Sequence, residues 1–387
     1  MNYKKEIKSI KDSVVLQNIT DDAVPYVLFN LFNSKNKFIT YIAKNNFNLE
    51  LIKNEIKFYS SEIEIIEFPE WNTLPYDVNS PQLRIQTSRM EALYKLLNYK
   101  TLFKNKKVLF IISKQAILQK VINKKDFKFI NFYQGQKIKL DDIKNILIDN
   151  CYSSVDTCTN IGNYSINNSN IDIITFDNQA YRIILKNNII QEIKSFNPET
   201  QVSLHNFEEI LILPIKEVLF NKENIKNFKI NYSNYFDIQN QNDKLYQDIS
   251  NSIFYDGCEN WLPLFYKNNL ENIFDYLPEN TLFTYLNESI EDLKEYQDTI
   301  NRFYNTRLEE LNIQSNNMSI YNPIKPELLY IKVDIFLNYT KKYINIVFDT
   351  ENQSSSTDII DMNFKTTPNF FESSKEIFKD LENFLNK

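Results

Sequence analysis

Apolar residues along the chain gather in short runs of two kinds. Phe38–Ala43, Glu62–Phe68 and Lys107–Ile112 are strand-sized blocks rich in Ile, Val and Phe, and Ile63, Ile65 and Ile66 are expected to point inward. Around them the apolar positions recur at helical spacing. Residues 1–35 read as mixed helix with Val24, Leu28, Phe29 and Phe32 on one face, and Leu49–Tyr59 and Gln115–Ile122 read as further helices. Strands alternating with helices predict a parallel sheet with crossover helices, an α/β unit over residues 1–124. From 125 to 207 the pattern shortens. Phe127–Phe132 and Lys137–Leu140 read as strands and Asp141–Asn150 as a short helix. Asn170–Phe176, Ala180–Leu185 and Ile189–Phe196 follow as β-like runs. Asp177-Asn178 and Asn187-Asn188 separate them as turn dipeptides, because Asn tolerates left-handed backbone. An inserted α+β domain with an antiparallel sheet is expected there. Glu208–Pro214 is apolar again and is expected to re-enter the first sheet. It opens a second part of the α/β domain over 208–350, with a strand at Thr281–Leu286, a long helix at Glu291–Leu311 and a strand at Ile344–Phe348. Glu351–Asp361 is a Ser/Asn/Asp-rich linker.

The stretch Phe68–Leu97 has the densest local signals. Pro69 and Pro75 fix φ and restrict the residues before them, which predicts an extended, ordered loop over Phe68–Tyr76. Ser80 is placed to cap a new helix with Pro81 at its first position, and Met90, Leu93, Tyr94 and Leu97 give that helix an apolar face. A loop holding Phe68, Trp71 and Tyr76 is expected to pack against a domain.

Composition narrows the function classes. The chain has 387 residues, 43% hydrophobic and 14% aromatic, which is globular and leaves room for two or three domains. Its formal charge of −6 argues against nucleic-acid binding over the whole surface, and lysine pairs such as Lys106-Lys107 and Lys341-Lys342 are scattered. Cys151, Cys158 and Cys258 form no C-x-x-C pair and are expected to stay reduced. The first residues lack the apolar run of a signal peptide, and no window reaches the length of a membrane span, so a cytoplasmic chain with no membrane partner is expected. Only three glycines occur and Arg is confined to positions 84, 89, 182, 302 and 307, while Asn, Ile and Lys abound. That is the composition of an AT-rich genome.

Catalytic chemistry is not assembled by any motif. A phosphate loop needs Gly-x-x-x-x-Gly-Lys-Ser/Thr, yet no glycine precedes Gly135, and Gly135-Gln136-Lys137 lacks both the earlier Gly and the hydroxyl. His205 is the sole histidine, which excludes a histidine metal cluster. Glu62, Glu64 and Glu67 read as a solvated strand face, and Trp261, Phe265 and Tyr276 as core residues. No catalytic group, metal or cofactor is expected.

Two blocks carry a family resemblance. Trp71-Asn72-Thr73-Leu74-Pro75-Tyr76-Asp77, then Ser80-Pro81 and Arg89, resembles the N-terminal, UvrB-like module of the bacterial transcription–repair coupling factors. Gly257-Cys258-Glu259-Asn260-Trp261-Leu262-Pro263-Leu264-Phe265 resembles a second block of the same family, and Phe364–Lys387 the opening of its next small domain. The resemblance implies a degenerate P-loop-type parallel sheet, RecA-like and UvrB-like, and a non-catalytic scaffold in nucleotide-excision DNA repair. It implies structural roles for Trp71, Leu74, Pro75, Tyr76, Asp77, Pro81, Arg89, Gly257, Trp261 and Pro263. The inserted domain resembles the one that docks on UvrA, making UvrA the implied partner, whether recruited or masked. Gly162, Tyr164, Asp172 and Tyr181-Arg182 fit that domain's pattern. Asn167 stands at its first arginine position, Asn168 at the following glycine and Lys186 at a later aromatic position. The candidate partner contacts are therefore Arg182, Asn167, Lys186 and Tyr181. The alternatives are a divergent UvrB-like helicase subunit, or a decayed or split coupling-factor product paired with that factor's remaining domains.

Overall fold

The computed structural model describes residues 13–32, 36–236, 243–313, 321–350 and 358–364, together with residue 382. The elements used below are, in chain order, β1 (Val14–Gln17), α1 (Val24–Leu31), β2 (Phe38–Ala43), α2 (Asn46–Tyr59), β3 (Ile63–Phe68), α3 (Leu83–Leu97) and β4 (Lys107–Ser113). Next come β5 (Ile130–Tyr133), α4 (Leu140–Asp149), β6 (Ser153–Ser154), β7 (Asn163–Asn167), β8 (Asn170–Ile174), β9 (Ala180–Lys186), β10 (Ile189–Phe196), β11 (Ser203–Phe207) and β12 (Glu209–Ile212). The chain continues with α5 (Lys222–Phe236), β13 (Leu282–Leu286), α6 (Ser289–Ile313), α7 (Val333–Thr340), β14 (Ile344–Asp349) and β15 (Ile359–Asp361).

Seven strands form a parallel sheet in the order β15-β1-β14-β13-β2-β4-β3. Its central strands are near-continuous apolar runs because both faces are covered. Along β2, Ile39, Tyr41 and Ala43 join the core under α1 and α2, while Phe38 and Ile42 join the core on the opposite face. The same alternation splits β3. Ile63 and Ile65 turn to one face and Ile66 and Phe68 to the other, rather than all three isoleucines sharing a side.

The inserted lobe is a six-stranded sheet, β11-β10-β9-β8-β7-β6, antiparallel except between β6 and β7. Ile143 and Leu147 of α4 pack on Tyr164, Ile171, Ile173, Ile183, Ile190 and Ile193 to make its core. Asn187 and Asn188 both have positive φ (53° and 60°) at the β9–β10 turn, as a two-residue hairpin of mirror-image type requires.

Several expectations are corrected. The apolar run at Glu208–Pro214 does not rejoin the parallel sheet. β12 pairs antiparallel with β5, and Ile210 and Ile212 enter the lobe's core. The chain thus enters and leaves the lobe along one two-stranded neck, and the parallel sheet resumes only at β13. Val14–Gln17 is a strand inside the segment read as mixed helix, and the helix read at Gln115–Ile122 is a single turn, Lys114–Leu118. The strand read at Phe127–Phe132 begins at Ile130, and the one read at Lys137–Leu140 amounts to one bridge, Lys137 to Ile189. The linker read at Glu351–Asp361 ends, where it is described, in β15, which pairs with β1 at the edge of the parallel sheet, and the further small domain read from Phe364 onward falls almost wholly outside the described residues. Among the described residues no helix is long and apolar enough to cross a membrane.

Candidate partner-binding surface

The two blocks of the family resemblance lie far apart in sequence and meet in space. Ser80 does not cap α3, which begins at Leu83 with no side-chain cap. Its hydroxyl instead donates to Glu259 Oε2 (2.7 Å) and accepts the Gly257 N–H (2.9 Å), so it joins the blocks. Asn260 Nδ2 donates to the Asp77 carbonyl (2.8 Å), and Asn260 Oδ1 accepts from the Tyr76 N–H (3.1 Å). Tyr76 has a φ of 59°, a costly conformation for an aromatic residue, and its surroundings over-determine it. Arg307 Nε and Nη2 both donate to its carbonyl (3.1 and 2.9 Å), and its hydroxyl donates to Ile324 O (2.9 Å). Burial pushes the Glu259 carboxyl above its ordinary value, and the Ser80 hydroxyl partly opposes that.

Beneath this seam lies a charged pair with no exposure. Arg89 Nε and Nη2 donate to the two oxygens of Glu217 (2.9 and 3.1 Å), with both side chains 0% exposed. Arg89 Nη1 donates to Pro69 O and Gln119 Oε1, and the guanidinium stands 4.1 Å from the Phe68 ring centroid. Glu217 also accepts from Trp71 Nε1 (2.6 Å), while its backbone carbonyl accepts from the Tyr266 hydroxyl. Trp71, Pro75, Tyr76, Pro81, Arg89, Gly257 and Trp261 are all buried and Pro263 is half-buried. Trp261 Nε1 donates to Asn322 O, and the Asp77 carboxylate folds its own turn by accepting from Asn79. Leu74 is the correction in this set. At 57% exposed it joins no hydrophobic core cluster, and it opens the turn closed by the Asp77 N–H on its carbonyl (3.2 Å). Glu217 has no counterpart in the sequence reading. Its signal is an acidic residue placed between the buried Ile215 and Val218.

The sheet's order reverses between β2 and β13, the place where open α/β sheets bind ligands. Here β2 reaches α2 through Lys44 and Asn45 alone. The Lys44 N–H donates to Asn48 Oδ1 and the Asn48 N–H to Asn45 Oδ1, so these amides are already engaged. The Lys44 amine lies 2.8 Å from Asp21 and 3.4 Å from Glu288. Burial alone would lower its pKa, and the two carboxylates overcome that and raise it. A two-residue connection is shorter than the glycine-rich loop that wraps a triphosphate in a Gly-x-x-x-x-Gly-Lys motif. Among the described residues no group of three or more His, Cys, Asp or Glu is placed to hold a metal.

In the lobe, the four candidate contacts do not converge on one face. Asn167 ends β7 and Lys186 ends β9 at the same end of the sheet, where both are exposed. Tyr181 and Arg182 are consecutive strand residues and therefore point to opposite faces. Tyr181 is half-buried against the lobe's core, edge-on to Phe207. Arg182 is not a free contact group. Its Nε and Nη2 donate to both oxygens of Asp172 on β8 (2.7 and 2.8 Å), and its Nη1 donates to Gln201 O and Ser203 Oγ. The Asp172 side chain is 7% exposed, so losing its partner strands a nearly buried charge. Arg182→Ala is expected to destabilise the protein by roughly 2–4 kcal/mol. An unchanged urea midpoint would contradict that.

Comparison with known proteins agrees with this geometry. Residues 130–218 match the family model of the UvrB interaction domain, a span that begins at β5 and covers the lobe. The transcription-repair-coupling factor of Rickettsia conorii is 30% identical over 327 residues, covering 84% of this chain and 28% of that protein. The same-named protein of Rickettsia prowazekii is 29% identical over 361 residues (92% and 31%), and that of Escherichia coli 24% over 338 residues (85% and 28%). The chain therefore spans about 30% of the length of these curated relatives. Its sequence is thus similar to the transcription-repair-coupling factors over most of its own length, and its α/β body with an inserted antiparallel lobe is consistent with an N-terminal, UvrB-like module of that type.

Proposed function

We propose that this chain works in nucleotide-excision repair as a docking module whose antiparallel lobe engages UvrA, or covers the surface that would. The carrying observation is the UvrB interaction domain at 130–218, with Asn167 and Lys186 exposed together at one end of its sheet. Its contribution is contact rather than turnover, in keeping with the two-residue connection and the paired lysine at the β2–β13 reversal. In this reading Asn167 and Lys186 touch the partner, and Arg182 holds β8 and β9 in register beneath them. Tyr181 fixes the opposite face.

The test is calorimetric titration of UvrA into the whole chain. Asn167→Arg restores a planar, charged donor at the hairpin end and is expected to tighten binding by ~10-fold or more, the worth of one charge-assisted hydrogen bond. Lys186→Glu is expected to weaken it. Absence of heat at high-micromolar concentration for both the native chain and Asn167→Arg would end the proposal.

A further inference from the structure

We propose that the groove between α4 and α5 is a second docking site, built for an acidic amphipathic helix of a partner protein. It is a cavity of about 1030 Å³ at the junction of the lobe with the α/β body. Ile146 and Ile148 of α4 line one wall, Ile225 and Ile230 of α5 the other, with Ile130 and Phe220 between them. Ile148 and Ile230 are 45% and 49% exposed, so apolar surface faces water on both walls. A soluble domain usually covers such a surface with something.

The rim indicates what covers it. Lys222, Lys226 and Lys229 lie at i, i+4 and i+7 on α5, one stripe along the groove, and Lys128 stands on the rim as well. Against these four lysines the lining holds two acids, Glu223 and Asp149. Glu223 lies 3.7 Å from Lys128, an exposed pair of small worth, and Lys222 bears on Asp149. Among the described residues Lys226 and Lys229 form no ion pair. This positive rim sits on a chain whose formal charge is −6, so it is a local concentration against the overall sign. The 15 residues of α5 give the groove a length of roughly 22 Å, enough for three to four turns of a bound helix. An apolar floor with a basic rim selects a helix with an apolar stripe flanked by Asp and Glu. The site is separate from the hairpin end carrying Asn167 and Lys186, so either surface can fail without the other.

The test uses the full chain and a fluorescent synthetic helix with Leu at i, i+3, i+4 and i+7 and Glu on its flanks. Its binding is followed by anisotropy. Saturable binding is expected that weakens with added salt and falls by ~10-fold or more in K226E/K229E and in Ile230→Glu. All three positions are exposed, and the melting temperature of each variant checks that it folds. Equal binding of a peptide with Lys in place of Glu would overturn the proposal. So would no saturable binding, competition by a single-stranded oligonucleotide, or a native-chain dimer that K226E/K229E dissolves.

Discussion

Glu217→Ala is expected to cost roughly 3–5 kcal/mol of unfolding free energy, the loss typical of removing one partner from a buried ion pair. The Arg89 guanidinium would keep Pro69 O and Gln119 Oε1 as acceptors but no counter-charge, enclosed beside the rings of Phe68 and Trp71. Trp71 Nε1 would lose the Glu217 carboxylate as its acceptor at the same time. Arg89 is fully buried, so water cannot replace the missing carboxylate without opening the core. Trp71→Ala removes the neighbouring aromatic and is expected to fall in the same range, ~3–5 kcal/mol.

The magnitude does not mean that the pair is a strong source of stability. Desolvating two charges offsets most of their attraction, so Arg89→Met with Glu217→Leu is expected to recover most of the single-variant loss. What the pair supplies is position. It ties the proline loop and α3 to the segment that follows the inserted lobe, across 128 residues of sequence. Urea unfolding of the two single variants and the double variant decides this. A double variant as weak as Glu217→Ala would mean that geometry, not charge, is what the core has lost.

The sheet was legible because its cause is local. β2 and β4 are apolar runs whose length and branching admit one reading, and the two-Asn turn after Lys186 carries its own left-handed preference. Partners fixed by long-range packing were not legible. The run at 210–214 says that the segment is buried, not that β5 rather than the parallel sheet lies beside it. Ser80 fits the pattern of a helix cap, but its hydroxyl is claimed by Glu259 and Gly257, nearly 180 residues later. The pair of Asp172 and Arg182 lies between these extremes. The two residues stand five positions either side of Asp177, the centre of the loop between β8 and β9, so the hairpin register sets them opposite each other. Reading that register moves Arg182 from a free contact to a tie between strands.

Gly257→Ala carries the second large effect, and it tests whether the two motif blocks are pinned to each other. Gly257 has a φ of +75°, and a Cβ there would lie 2.8 Å from Asp77 O and 2.9 Å from both the carbonyl carbon and the oxygen of Val78. These are backbone atoms. Asp77 O is held by Asn260 Nδ2, and the Gly257 N–H is held by Ser80 Oγ, so neither side can yield cheaply. Left-handed backbone and forced overlap together predict a loss of roughly 2–5 kcal/mol. Gly135 supplies the control within the same molecule. Its φ is +85° but nothing lies within 4 Å of its Cβ position, so Gly135→Ala bears only the conformational cost of about 1–2 kcal/mol. The difference between the two urea midpoints isolates the collision. Equal midpoints would show that the loop at 77–78 gives way, and that the contact between the blocks rests on the Ser80 and Asn260 side chains rather than on close backbone approach.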